Sequence, residues 1–299
     1  MYSFFTSIYY FFRFIFFSIK EKSFRLLRYY PGHYSSPVPG KDALYNSTLF
    51  SMNASLIEGV DLNKDYQLML LESFFGYHKE FNCPERQQSD RRYYYDNPMY
   101  GYNDAYIYYC FLRKFKPKNL IEIGSGYSSA LLLDAIDLLS IPDINLTFIE
   151  PYPDRLFSLL IDKDHEKTDV IENHIQNVSA ELFNKLGKDD ILFVDTSHVL
   201  KIGSDLSKII FSILPALNKG VIVHFHDIFW PFEYPKVIFD DGRLWNESYF
   251  LRSFLQYNNS FEILFFTSYL ENLYKEKITE KFPEFSKSTG SSLWIRKNN

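Results

Sequence analysis

At 299 residues the chain is long enough for one large α/β domain with additions, or for two small domains, each able to bury a core. A net charge of -5 and a pI near 5.8 leave no electrostatic footprint for nucleic acid. The two cysteines, Cys83 and Cys110, stand in no metal or redox spacing, which excludes a disulfide framework and favours a reducing, cytoplasmic compartment. Phe and Tyr are abundant, at 30 and 24 residues; an A+T-rich codon bias accounts for this as well as aromatic substrate platforms do.

The chain opens on its most apolar stretch, Tyr2 to Ile19, broken by one charge at Arg13. Coiled as a helix it would extend about 27 Å, barely a bilayer core. An arginine within a span costs roughly 2.5–3.5 kcal/mol, so the stretch reads as an anchor lying on a membrane surface, with a buried helix or an oligomer contact as the alternatives. Lys20, Lys22, Arg25 and Arg28 follow it, which by the positive-inside rule puts the rest of the chain in the cytoplasm. Residues 1–28 are therefore set apart as a hydrophobic N-terminal segment.

Residues 29–102 read as a cap or lid region. Arg28 to Gly40 carries three prolines and two glycines and is loop-like, YQLMLLESFFGY has helical spacing, and RRYYYDNPMYGY reads as a flap near a cofactor or as ordinary packing. Asn103-Asp104 is a plausible N-cap for the helix DAYIYYCFLRKF.

From residue 103 onward strands and helices alternate. The runs LIEIG, NLTFIE, DVIENH, DILFVD and GVIVHFHD read as five strands, separated by helical patterns near 128–139, 154–160, 179–186 and 204–214. This alternation predicts a doubly wound, Rossmann-like parallel sheet. Helix 246–257 and the apolar runs FEILFFTS and SSLWIRK then predict a terminal antiparallel pairing.

Chemistry is expected at the carboxyl ends of the strands. The first end, Asn119 to Ser129, is NLIEIGSGYSS, with Gly124 and Gly126 spaced for a cofactor to cross close to the backbone. Glu122 discriminates between cofactors: a carboxylate there would repel a pyrophosphate but attract the cationic S-adenosylmethionine (SAM). Glu150, ending the second strand, suits a ribose, and Gln176 lies where an adenine edge is expected.

Asp195 and His198 end the fourth strand, and His224, His226 and Asp227 end the fifth. Three uses remain open for them. Asp195, His226 and Asp227 could hold a divalent metal against an acceptor oxygen, although imidazole suits zinc, manganese or iron better than magnesium. His198 or His226 could instead act as a general base, or the groups could only satisfy one another. Trp245, Asn246 and Glu247 could stack on and hydrogen-bond a sugar ring, or Asn246 could merely cap a helix.

Together EIGSGYSS, FIEPYPDRL, FVDTSH, HFHDIFWPFEYP and GSSLWIRK resemble a bacterial subfamily of class I SAM-dependent methyltransferases with an HDIF-x-P-x-x-YP motif, over roughly Pro31 to Lys297. The resemblance implies a methyltransferase domain at 103–299. It implies SAM at Glu122, Gly124, Ser125, Gly126, Tyr127, Glu150 and Asp195, with His198, His226 and Asp227 near the transferred methyl group. The expected reaction is O-methylation of a small-molecule or glycan-type hydroxyl. An NAD-dependent oxidoreductase or epimerase and a non-catalytic, membrane-tethered binding module are the alternatives.

Overall fold

A computed structural model describes residues 29–40, 56–141 and 143–299, with isolated positions ahead of residue 56. The apolar N-terminal segment lies largely outside the described residues, and among those described no helix is long and apolar enough to cross a membrane. The chain divides into two units, Met1–Leu49 and Phe50–Asn299. In the first, Gly32 N–H donates to the Val38 carbonyl and His33 stacks on Tyr29 and Tyr34.

The second unit is built on a seven-stranded sheet. Its strands are β1 (Asn119–Ile123), β2 (Asn145–Ile149), β3 (Thr168–Ile171), β4 (Ile191–Val194), β5 (Ile222–Phe225), β6 (Phe261–Phe266) and β7 (Leu293–Lys297), in the order 3-2-1-4-5-7-6. Strands β1 to β5 run parallel, and β7 lies antiparallel between β5 and β6. The central strands β1, β4 and β5 are buried along nearly their whole length, which is why they read as largely apolar runs rather than alternating ones, with Glu122 and His224 as the exceptions.

Helices Tyr127–Leu139, Asp154–Leu159 and Asp205–Lys208 supply crossovers, the last continuing through a π-helical turn, Ile209–Ile213. The segment expected as helix 179–186 is a 3₁₀ helix, Ala180–Lys185. Helix Tyr102–Phe115 is buried from Tyr102 to Leu112 and begins after Gly101, so Asn103 and Asp104 sit inside its first turn and are not its N-cap. They are spent on tertiary contacts instead: Asn103 donates to Glu271 and to the Ser288 carbonyl, and Asp104 accepts from the Ser291 N–H.

The tyrosine-rich stretch is fastened down. Arg92, 3 % exposed, pairs with Asp134 at 2.8 Å and with Asp164 at 2.6 Å, while the Arg92 and Tyr93 N–H groups donate to Asp134. Tyr93, Tyr100 and Tyr102 are buried, and Pro98, Met99 and Tyr100 form a fixed wall of the cleft at the strand ends.

Candidate functional site

A cleft of about 500 Å³ lies beyond the carboxyl ends of β1, β4 and β5, where an open α/β sheet binds its ligands. Gly124, Ser125, Gly126, Tyr127, Glu150, Asp195, His198, His226 and Asp227 all line it. A recess of about 220 Å³ shares Gly124, Glu150, Asp195, Thr196 and Ser197 with it, and its further lining includes Ile123, Ile149, Ile175, Gln176 and Asp205. The Gln176 amide donates to the Gly203 carbonyl at 2.9 Å, which fixes its orientation in that wall. A separate, largely apolar cavity of about 380 Å³ beside Trp230 and Phe285 contains none of the strand-end residues.

The glycine turn is demanded by the chain itself. Gly124 has φ +82°, and a Cβ there would lie 1.7 Å from the Asp195 carbonyl oxygen. The close approach of the β1 turn to the end of β4 thus requires glycine by itself, in addition to the room a cofactor was expected to need. At Gly126 a Cβ would meet only the Arg155 side chain, at 3.3 Å. Glu150 is oriented from behind: it accepts from Ser125 N–H at 3.1 Å and from Tyr152 N–H at 2.9 Å, and both oxygens keep a free lone pair.

Glu122 does not face the cleft. It is fully buried, accepts from Ser128 Oγ at 2.5 Å, and sits in a cross-strand row with Phe148, Phe193, His224 and Trp294. Ring contacts with Tyr108 close Phe193, His224 and Trp294 under helix Tyr102–Phe115. Burial pushes the Glu122 carboxyl up to about 8, which favours its neutral form and weakens the charge it was expected to offer a cation. His224 belongs to the same row; burial and neighbouring His226 hold it well below the ordinary histidine range, and it stacks on Phe193 at 3.9 Å.

One layer nearer solvent, four titratable groups converge. His198 Nε2 lies 3.3 Å from Asp195 Oδ1 and 3.6 Å from Asp227 Oδ2. His226 Nδ1 has no hydrogen-bond partner and lies 3.7 Å from both Asp195 Oδ2 and Asp227 Oδ2. Asp195, His198 and Asp227 each offer one ligand atom within 4.8 Å of the others, so His198 joins the two acids that the sequence grouped with His226. His198 and Asp227 both adopt left-handed backbone conformations, at φ 57° and 58°, the kind of strain that collects at functional sites.

Each imidazole also has a buried acid on its far side. Glu247 Oε2 is 2.8 Å from His198 Nδ1, and Asp104 Oδ2 is 3.6 Å from His226 Nε2. Burial disfavours the charged imidazoles, but Asp195 and Glu247 outweigh it and hold His198 well above the usual histidine range. Asp227, Asp195 and Asp104 likewise hold His226 up at about 10. Burial opposes ionisation of Asp195, yet His226 and His198 bring it down to about 2. The surrounding carboxylates thus favour the protonated form of both histidines in the free protein, which disfavours either as the general base. Glu247 is 1 % exposed and committed to His198, so it does not reach for a sugar ring; Asn246 stands at a helix N-cap, but its Oδ1 accepts from Leu200 N–H.

Sequence reasoning named Asp104 only at a helix cap and Glu247 only as a sugar contact, and missed both as partners of the histidines. No local signal marks them, because each meets its histidine across a long stretch of chain.

Parallel strands in the order 3-2-1-4-5 closed by an antiparallel strand between β5 and β6, with a glycine turn and an acid at adjacent strand ends, define the class I methyltransferase architecture. Residues 121–228 match the family model described as a methyltransferase domain. The chain is 30% identical over 166 residues to an uncharacterised protein of Archaeoglobus fulgidus, an alignment spanning 54% of this chain and 75% of that one. It belongs to one family with that protein and is a class I SAM-dependent methyltransferase. Among solved structures it has a distant likeness to the O-methyltransferase TomG from Streptomyces achromogenes, with TM-score 0.42 and 13% identity over 77% of this chain and 90% of that one. A similar likeness links it to the Podospora anserina methyltransferase PaMTH1, with TM-score 0.42 and 15% identity over 77% and 88% of the two chains. The match over 121–228 includes the glycine turn and sets aside the NAD-dependent alternative.

Proposed function

We propose that the protein transfers a methyl group from SAM to a hydroxyl oxygen of a small-molecule acceptor, with the acceptor held at the Asp195, His198, His226 and Asp227 cluster. The observation that carries this reading is that these four groups and the Gly124–Glu150 wall line one and the same cleft. The donor fits by two further features. Ser125 Oγ and Thr196 Oγ1 are buried without partners on the cleft lining, and Glu150 presents lone pairs suited to a pair of ribose hydroxyls. The base would occupy the recess beside Gln176, and the methionine end would lie along Gly124, Ser125, Gly126 and Tyr127.

In the transfer, a bond forms between the acceptor oxygen and the methyl carbon as the carbon–sulfur bond breaks, and the hydroxyl proton passes to a carboxylate oxygen of the Asp195–Asp227 pair. Asp195 and Asp227 orient the hydroxyl, and the wall at Tyr100 limits water. The donor set also fits a divalent ion, because two carboxylates and one imidazole nitrogen converge and the neighbouring His226 Nδ1 is unpartnered. Asp195, Asp227 and His198 would hold it, and such an ion supplies Lewis-acid polarisation of the acceptor oxygen.

Labelled SAM offered with a panel of small hydroxyl compounds tests the reading, with Mn²⁺ or Mg²⁺ present and absent. Methylated product from the wild type, lost in Asp195→Asn with S-adenosylhomocysteine (SAH) binding intact, is the expected result. Turnover undiminished in Asp195→Asn would overturn the assignment of the cluster.

A further inference from the structure

The buried partner of His198 has no part in the donor site, yet it is the best-made contact of the cluster. Glu247 Oε2 lies 2.8 Å from His198 Nδ1, whereas every other imidazole–carboxylate distance there is 3.3 Å or longer. A carboxylate this buried is rarely tolerated unless paired, and among the described residues His198 is the hydrogen-bond partner of the Glu247 side chain, with Oε1 left unpartnered.

The surrounding backbone is tied to the same end. Asn246 N–H and Glu247 N–H both donate to the His198 carbonyl, at 3.0 and 3.3 Å, and Asn246 Oδ1 accepts from Leu200 N–H at 2.7 Å. The Trp245 ring covers one side of the imidazole, with centroids 4.3 Å apart. The loop after β4 and the start of helix Glu247–Leu255 therefore hold one ring between them, in a residue whose backbone is itself in the left-handed region.

Imidazole has two distinct nitrogens, and the partner that holds one fixes how the ring lies and where the other points. We propose that Glu247 is a positioning residue whose carboxylate accepts the His198 Nδ1–H and thereby presents Nε2 to the Asp195–Asp227 pair in one fixed orientation. This rests on the reading of that pair as the acceptor end of the cleft. Glu247 touches neither donor nor acceptor; it acts through His198, as outer carboxylates act on metal-ligating histidines.

A role limited to favouring the helix N-terminus would cost stability in Glu247→Gln, which keeps the shape and removes the charge, but would leave the His198 ring signal and Mn²⁺ affinity unmoved. The test uses the full chain. Proton–nitrogen NMR of the histidine rings is recorded without metal, alongside calorimetry with SAH and with Mn²⁺ alone. The wild type should show a slowly exchanging, downfield His198 Nδ1–H signal. In Glu247→Gln that signal should be lost or move far upfield and Mn²⁺ should bind about tenfold more weakly or worse, while SAH affinity stays within twofold. An unchanged His198 signal in a folded Glu247→Gln protein would overturn the proposal. If that variant does not fold, Glu247→Asp, whose shorter side chain cannot keep the 2.8 Å contact, is judged by the same signal. A wild type that binds SAH but no Mn²⁺ removes the metal reading, and the ring signal alone then decides the role of Glu247.

Discussion

Glu122 shows how one residue can carry the right motif for a different reason. It lies in a cross-strand row beneath the site, where burial raises its pKa to about 8 from an ordinary value near 4.5. Between those values the folded protein keeps a proton that the unfolded chain releases, so this group's contribution to stability falls as pH rises from about 4.5 through 8. Glu122→Gln keeps the shape and removes the titration. Urea unfolding from pH 5 to 7 should then show a stability slope less negative than the wild type's by up to about 1.4 kcal/mol per pH unit. Identical slopes would mean that Glu122 is ionised in the fold.

Gly124 makes a second residue-scale case. The Cβ of Gly124→Ala would collide with backbone, not with a flexible side chain, in a conformation at φ +82° that alanine resists. The variant should lose at least about 2 kcal/mol of stability and bind SAH poorly. Wild-type melting and SAH affinity in this variant would contradict the packing account.

Among the elements, the segment 91–102 depends on a single cation. Arg92 is buried against Asp134 and Asp164, with half-buried Asp137 as a third partner at 2.9 Å. Removing it leaves buried carboxylates unpaired, which costs about 3–5 kcal/mol. Arg92→Ala should lose that much in denaturant unfolding and loosen the wall at Tyr100; a loss under about 1 kcal/mol would show that the aromatic packing alone holds the segment.

The elements were also the most legible part of the sequence. Parallel strands buried on both faces leave continuous apolar runs, and the acids that end them mark where each strand stops, so Glu150 and Asp195 could be placed on the cleft from the pattern alone. Depth within a strand was not legible: Glu122 precedes the glycine turn by two residues, and only the overlying helix makes it a core group. Nor were the far-side acids, since Glu247 stands 49 residues from the histidine it orients and Asp104 belongs to a helix before the first strand.

For the whole molecule, the sheet order, the match to a methyltransferase domain and the shared cleft converge on one claim: SAM binds across the ends of β1 and β2 and meets its acceptor at the ends of β4 and β5. Calorimetry of SAH with the full chain and with Glu150→Ala tests it most directly. One site per chain in the wild type, weakened at least about tenfold in a folded Glu150→Ala, is the predicted result, since a lost hydrogen bond to a charged group is worth about 1.5–3 kcal/mol. Absence of SAH binding to the folded wild type, or equal affinity in both proteins, would contradict the account.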